Sequence, residues 1–254
     1  MIRVYFYELN KEDLTVHWDE YLALLPEWRR ESCHRMKFEK GQLQQLAAGL
    51  LLRYALKDAA GIDLMTAEVT ENEYGKPMLR GMVREETEEE GENGTEGKGA
   101  IMGVAETTGG PRNRNIYFNL SHSDDYITVA VSDTPVGIDV ETKTDPDLKI
   151  MNRFYSEEEQ DAVRAAKDPQ KEFRRLWTRK EAYVKCVGTG IHGEVAEIPS
   201  LPEVSGEYRF LTLKEEEEYA LSIVIRTDEL LTKENVEVCY VKDQRLISFF
   251  GLQW

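Results

Sequence analysis

The chain has 254 residues, 41% of them hydrophobic, enough to bury a core without covalent staples. Its formal charge of −16 excludes unspecific nucleic-acid binding, which needs Lys and Arg to neutralise phosphates. Its three cysteines, Cys33, Cys186 and Cys239, are odd in number and lack paired spacing, which excludes a disulfide framework and a zinc site and suits a reducing compartment.

Along the chain, Arg3 to Leu9 alternates like a strand, and the residues from Met1 lack the charged-then-apolar order of a secretory signal, so a cytoplasmic protein is expected. Helical patterns run from Asp19 to Phe38 and from Gln42 to Ala60. The apolar run Leu46 to Leu56 is interrupted by Gly49, Arg53 and Tyr54; it falls short of the roughly 20 residues that span a bilayer and reads as a buried helix. A strand follows near Glu68 to Thr70, broken by Gly75-Lys76-Pro77. Between Glu85 and Glu96 lies an acidic, glycine-punctuated stretch too polar to offset its ordering entropy by burial, expected to be a mobile loop.

Strands are predicted at Ile116 to Leu120, Tyr126 to Ser132 and Val136 to Val140. Ser156 with Glu159 forms a capping box for a helix near Glu157 to Ala166. A longer helix should run from Pro169 to Val187 and stop at Gly188 and Gly190. Glu207 to Leu213, Tyr219 to Arg226 and Val236 to Val241 close the chain as strands. Runs of strand and helix in each half predict an α+β fold of two subdomains, 1–115 and 116–254, with the acidic loop, about 84–112, near their joint.

Three elements carry candidate chemistry. In Val136 to Glu141 an apolar strand ends in Asp139 and Glu141, which the strand period of two puts on one face. Two carboxylates about 4 Å apart repel by roughly 4 kcal/mol at an effective dielectric near 20, so a buried pair needs a shared proton or a cation. Mg²⁺ suits such a pair; an exposed strand end with solvated acids is the plainer alternative. In the long helix, Trp177, Glu181 and Lys185 are spaced by four and form one stripe. A surface Glu–Lys pair would explain two of them, but apolar Val184 beside Lys185 puts the stripe near the buried side, where charges are paired or ligating. Finally, Asn119-Leu120-Ser121-His122-Ser123-Asp124 reads as a turn with a histidine at its tip, rich in phosphate-binding groups. A serine-hydrolase reading fails for want of a Gly-x-Ser-x-Gly elbow.

Gly137-Ile138-Asp139 followed by Trp177 to Lys185 resembles the paired signature of the 4′-phosphopantetheinyl transferases. Glu73 to Pro77, Asn119 to Ser123 and Arg153 to Glu159 extend the likeness from about Pro26 to Gly190, toward the long, monomeric subgroup that activates surfactin synthetase and similar peptide synthetases. The resemblance implies two similar α/β subdomains related by a pseudo-two-fold axis, with the active site at their interface. It implies transfer of the phosphopantetheine arm of coenzyme A to a serine of an apo acyl or peptidyl carrier protein, releasing 3′,5′-adenosine bisphosphate, in a monomer needing neither nucleic acid nor membrane.

On the same carry-over, Asp139, Glu141 and Glu181 would surround Mg²⁺, or Mn²⁺ in its place, and Glu181 and Lys185 would be catalytic. Lys185, Ser121 and His122 would contact phosphate, Lys76 and Pro77 would border the adenine, and Arg29 would approach the 3′-phosphate. Two positions depart from the pattern: Ser32 and Gln44 stand where basic residues are expected, leaving Arg30, Arg35 or Lys37 to substitute. The carrier is expected beside Phe154 to Ala166 and Trp177 to Ile191, steered by Lys171, Arg174 and Arg175. Two other readings remain open: an Mg²⁺-dependent phosphohydrolase acting on nucleotides, and a carrier-binding module without catalysis.

Overall fold

Strand β1 (Ile2–Glu8) buries both faces, and its alternation sorts the side chains between two cores. Tyr5 and Tyr7 join a cluster with the long helix that follows, while Val4 and Phe6 join a second cluster on the opposite side. The computed structural model describes residues 1–80, 115–142, 148–190 and 195–252. The acidic stretch from Glu85 to Glu96 lies outside the described residues, as does Ile191.

After β1 come α1 (Lys11–Val16), α2 (Trp18–Ala23), α3 (Glu27–Arg35) and α4 (Glu39–Ala60). The single helix predicted over 19–38 is therefore interrupted, because Pro26 lacks an N–H and disfavours helical backbone at Leu25 before it; it serves instead as the N-cap of α3. A small hairpin, β2 (Val69–Glu71) with β3 (Pro77–Leu79), precedes β4 (Tyr117–Ser123), β5 (Tyr126–Ser132) and β6 (Val136–Thr142). Helices α5 (Leu148–Phe154), α6 (Glu157–Ala165) and α7 (Pro169–Val187) follow. Strands β7 (Val204–Ser205), β8 (Tyr208–Glu215), β9 (Tyr219–Arg226) and β10 (Glu237–Val241) lead to α8 (Asp243–Phe249). The capping box is present, with Ser156 Oγ accepting from Glu159 N and Glu159 Oε2 accepting from Ser156 N. Helix α7 ends at Gly188, whose φ of 86° is the left-handed conformation that glycine adopts without strain.

Two four-stranded sheets result, ordered β10-β1-β5-β4 and β6-β9-β8-β7. Their strands do not separate at 115/116: β5 pairs with β1 and β4 with β5, and β10 returns to lie parallel to β1. The first sheet packs on α4 through Tyr5, Ile127, Val129 and Val131. Its other face meets the second sheet, where Val4, Phe6 and Ala130 pack on Val136, Ile138, Leu221 and Ile223. Beyond that sheet, Ala182 and Cys186 of α7 pack on Phe210 and Val224. The order of layers is helix, sheet, sheet, helix. Among the described residues no helix is long and apolar enough to cross a membrane.

Candidate active site

The two sheets meet along the edge of β6, and the site lies on that seam. In an antiparallel pair every second N–H of an edge strand points away from its partner. On β6 those of Ile138, Val140 and Thr142 turn toward β4, whose side chains answer them. Ile138 N donates to Asn119 Oδ1 at 2.9 Å, Val140 N to Ser121 Oγ at 3.4 Å and Thr142 N to Ser123 Oγ at 3.2 Å. Residues 119–123 are thus strand, not the predicted turn, and the turn falls at Asp124. Strand alternation then parts the two residues expected to share a phosphate. Ser121 points toward β6, while His122 points to α4, 3.1 Å from Gln45 Nε2.

Each serine also donates to an acid. Ser121 Oγ reaches Asp139 Oδ1 at 2.7 Å, and Ser123 Oγ reaches Glu141 Oε2 at 3.0 Å. From the other side, α7 brings Glu181 and Lys185. Its approach depends on Gly137, where a Cβ would lie 2.0 Å from Ala182 O and 2.3 Å from Cys186 N. Only glycine lets the helix backbone sit this close to the strand, between the turns that carry Glu181 and Lys185. Lys185 Nζ then stands 2.5 Å from Asp139 Oδ1 and 2.9 Å from Ser121 Oγ.

Three acids consequently share one ammonium in a half-dry pocket. Burial raises the Asp139 carboxyl against the opposing pull of Lys185 and its hydrogen bonds. Burial, then repulsion from Asp139, pushes Glu141 and Glu181 up to about 7 each. Asp139 Oδ2 is buried without a hydrogen-bond partner among the described residues. That surplus of hard oxygen donors, with one carboxylate oxygen unanswered, fits a divalent cation such as Mg²⁺. The acids do not by themselves close into a metal cage: among the described residues, no three His, Cys, Asp or Glu side chains are so placed.

Beside the acids opens a cleft of about 340 Å³ whose lining includes Arg29, Lys76, Pro77, Glu181 and Lys185. Of the three acids only Glu181 lines it. Arg29 is 5% exposed, its Nη2 donates to Gln45 O, and its Nε has no partner among the described residues. Burial draws its guanidinium down to about 10. Lys76 is held by the far end of α7, donating from Nζ to Lys185 O at 2.5 Å and Cys186 O at 3.1 Å, where the helix C-terminus favours a cation. Asn72 completes this latch by donating to Gly188 O. Burial, Lys185 and Arg29 all lower the His122 pKa, which favours the neutral ring.

Residues 135–240 match the family model of the 4′-phosphopantetheinyl transferase superfamily. Over those residues the chain is similar to that superfamily. It is 27% identical over 175 residues to a 4′-phosphopantetheinyl transferase of Bacillus subtilis, covering 68% of this chain and 64% of that one. It is 45% identical over 96 residues to 4′-phosphopantetheinyl transferase psf-1 of Bacillus pumilus, covering 36% and 41%. With 4′-phosphopantetheinyl transferase gsp of Aneurinibacillus migulanus the identity is 40% over 80 residues, covering 31% and 34%. The chain thus spans less than two thirds of the length of these relatives.

The superfamily match contains Asp139, Glu141, Glu181 and Lys185, whereas Arg29, Lys76, Pro77, Ser121 and His122 precede it. The other anticipated groups fare unevenly. Arg174 is 2% exposed and donates to Glu216 O and Glu217 O, and Arg175 makes two hydrogen bonds to Glu172. Both are committed within the fold, which leaves Lys171 as the steering candidate. Trp177 packs with Phe154 and Tyr155 and anchors α5 and α6 to α7. Asn119, Ser123, Asn72 and Gln45 were missed as site residues. The alternation Asn119, Ser121, Ser123 was the available signal for the first two.

Proposed function

We propose that the protein transfers 4′-phosphopantetheine from coenzyme A to a serine of an apo acyl or peptidyl carrier protein, with Mg²⁺, and releases 3′,5′-adenosine bisphosphate. The observation that carries this reading is the meeting of Asp139, Glu141, Glu181 and Lys185 beside a cleft that also holds Arg29 and Lys76. A strand tip and helix residues 40 to 46 positions further along the chain supply these groups. On the same reading the protein has two pseudo-two-fold-related halves with the active site at their junction and is a cytoplasmic monomer serving nonribosomal peptide synthesis or a related pathway.

Asp139, Glu141 and Glu181 would hold Mg²⁺, which when bound supplies Lewis-acid charge and a template for the diphosphate. The chain's own groups do the rest. Lys185 swings its ammonium between Asp139 and a phosphate oxygen, and Arg29 and Lys76 give the cleft the positive charge an anionic nucleotide needs. The carrier serine oxygen forms a bond to the pantetheine-bearing phosphorus as the bond to adenosine bisphosphate breaks. Glu181, the acid facing the cleft, takes the serine proton directly or through water. A carboxylate bound tightly to a cation is a poor base, so these two duties compete at Glu181.

Incubation of the protein with coenzyme A, Mg²⁺ and an apo-carrier, followed by mass spectrometry of the carrier, tests the proposal. The expected result is the added arm on one serine. Coenzyme A cleavage at equal rate without carrier would instead indicate a phosphohydrolase, and an unmodified carrier with intact coenzyme A a binding module.

A further inference from the structure

We propose that Ser123, held by the backbone N–H of Thr142, is a positioning residue that fixes the Glu141 carboxylate at the site. This rests on the reading of Asp139, Glu141 and Glu181 as a divalent-cation site. A hydroxyl has one proton to give, and the 3.2 Å contact between Ser123 Oγ and Thr142 Oγ1 could take either as donor. Two neighbours decide it. Thr142 Oγ1 gives its proton to Asp124 Oδ2 at 2.7 Å, and Thr142 N donates to Ser123 Oγ at 3.2 Å. Thr142 Oγ1 is left an acceptor only, and the single Ser123 proton goes to the closer, charge-bearing acceptor, Glu141 Oε2 at 3.0 Å.

Asp124 can play this part because it is held on three sides. It is the one non-glycine residue with positive φ among the described residues, at 48°, a conformation aspartate tolerates better than most. Its Oδ1 meets Lys40 Nζ at 2.5 Å, and its carbonyl accepts from Gln44 Nε2 at 2.8 Å. Lys40 and Gln44 belong to the first turns of α4, so Asp124 ties that helix to Thr142, whose backbone N–H in turn holds Ser123 Oγ. It parallels the shorter contact of Ser121 with Asp139 two residues earlier on both strands. Hydrogen-bonded partners of metal-ligating carboxylates set their orientation and affinity, and losing one costs about 10–100-fold in metal binding.

Mn²⁺ titration of the whole protein with coenzyme A and no carrier, read by the electron paramagnetic resonance of the free ion, tests the idea without turnover. Ser123→Ala should weaken Mn²⁺ binding about 10–100-fold. Ser123→Thr, which keeps the donor, should restore most of the loss. Ser123→Cys, whose thiol is a weaker donor in the same place, should weaken binding by less, and supplies the test if Ser123→Ala fails to fold by circular dichroism. Folded variants that bind Mn²⁺ as tightly as the parent would overturn the positioning role and leave the cation site standing. A parent protein that binds no Mn²⁺ would overturn both.

Discussion

Helices α4 and α7 do the same architectural work on opposite sides of the molecule, yet their buried faces differ in kind. Each covers one four-stranded sheet and stops at a left-handed glycine, Gly61 or Gly188. The buried positions of α4, from Leu43 to Leu56, are all Leu or Ala apart from Gly49 and Tyr54. Those of α7 include Arg174, Thr178, Arg179 and Lys180. Burying such groups is costly unless each is answered, and most are. Lys180 Nζ meets Glu159 Oε2 at 2.9 Å and donates to Val195 O and Ile198 O, and Arg179 donates to Pro202 O. Glu159 in turn receives Ser200 N and Oγ. A helix that only makes core can be built from packing alone, whereas one that must present Glu181 and Lys185 in fixed register is also pinned by directional bonds.

Four measurements would break or sharpen that contrast. The largest effect is expected at Glu181→Gln, where turnover should fall about 10²–10⁴-fold while coenzyme A binding by calorimetry falls far less. Equal losses in both would remove Glu181 from the role of base. Next, Lys180→Ala strands Glu159 in the interior and should cost about 3–5 kcal/mol in denaturant unfolding. Leu50→Ala on α4, at a position 1% exposed, should cost about 2–5 kcal/mol by leaving a cavity. The contrast lies in coenzyme A affinity, which Leu50→Ala should leave intact in the folded fraction and Lys180→Ala should weaken.

A second pair compares how closely each helix is approached. Alanine at Gly49 would meet the flexible end of Leu25 at 2.7 Å, whereas alanine at Gly137 would meet helix backbone at 2.0 Å. Gly137→Ala should therefore sit at the top of the about 1–3 kcal/mol range for overpacking and Gly49→Ala at its bottom, with ligand binding lost only in the former. The smallest effect is expected at Lys171→Glu, which should slow association with an acidic carrier by a few-fold at low salt and by nothing measurable at about 1 M salt. A loss insensitive to salt would rule out steering.

Much of the fold was legible from short-range signals. The capping box at Ser156, the span Pro169 to Val187 with its glycine stop, and the strand Tyr219 to Arg226 all stand where the sequence puts them. The common face of Asp139 and Glu141 follows from strand period, and the half-buried stripe of Glu181 and Lys185 from helix period. Helices α5 and α8 escaped notice, and Asn119 to Ser123 looked like a turn. That last stretch is polar because it faces a strand edge that needs acceptors, and polarity without a partner in view reads as loop.

Sequence by itself determined the residue types, the periods that align them and the helix ends, because each of these depends on neighbours within about a turn of backbone. Tertiary structure alone decided that β10 returns to β1, that the side chains of β4 satisfy the N–H groups of β6, and that Lys76 is held by the end of α7. Those contacts join residues far apart in the chain, and an unsatisfied edge or carbonyl announces its need of a partner without naming which distant residue will meet it.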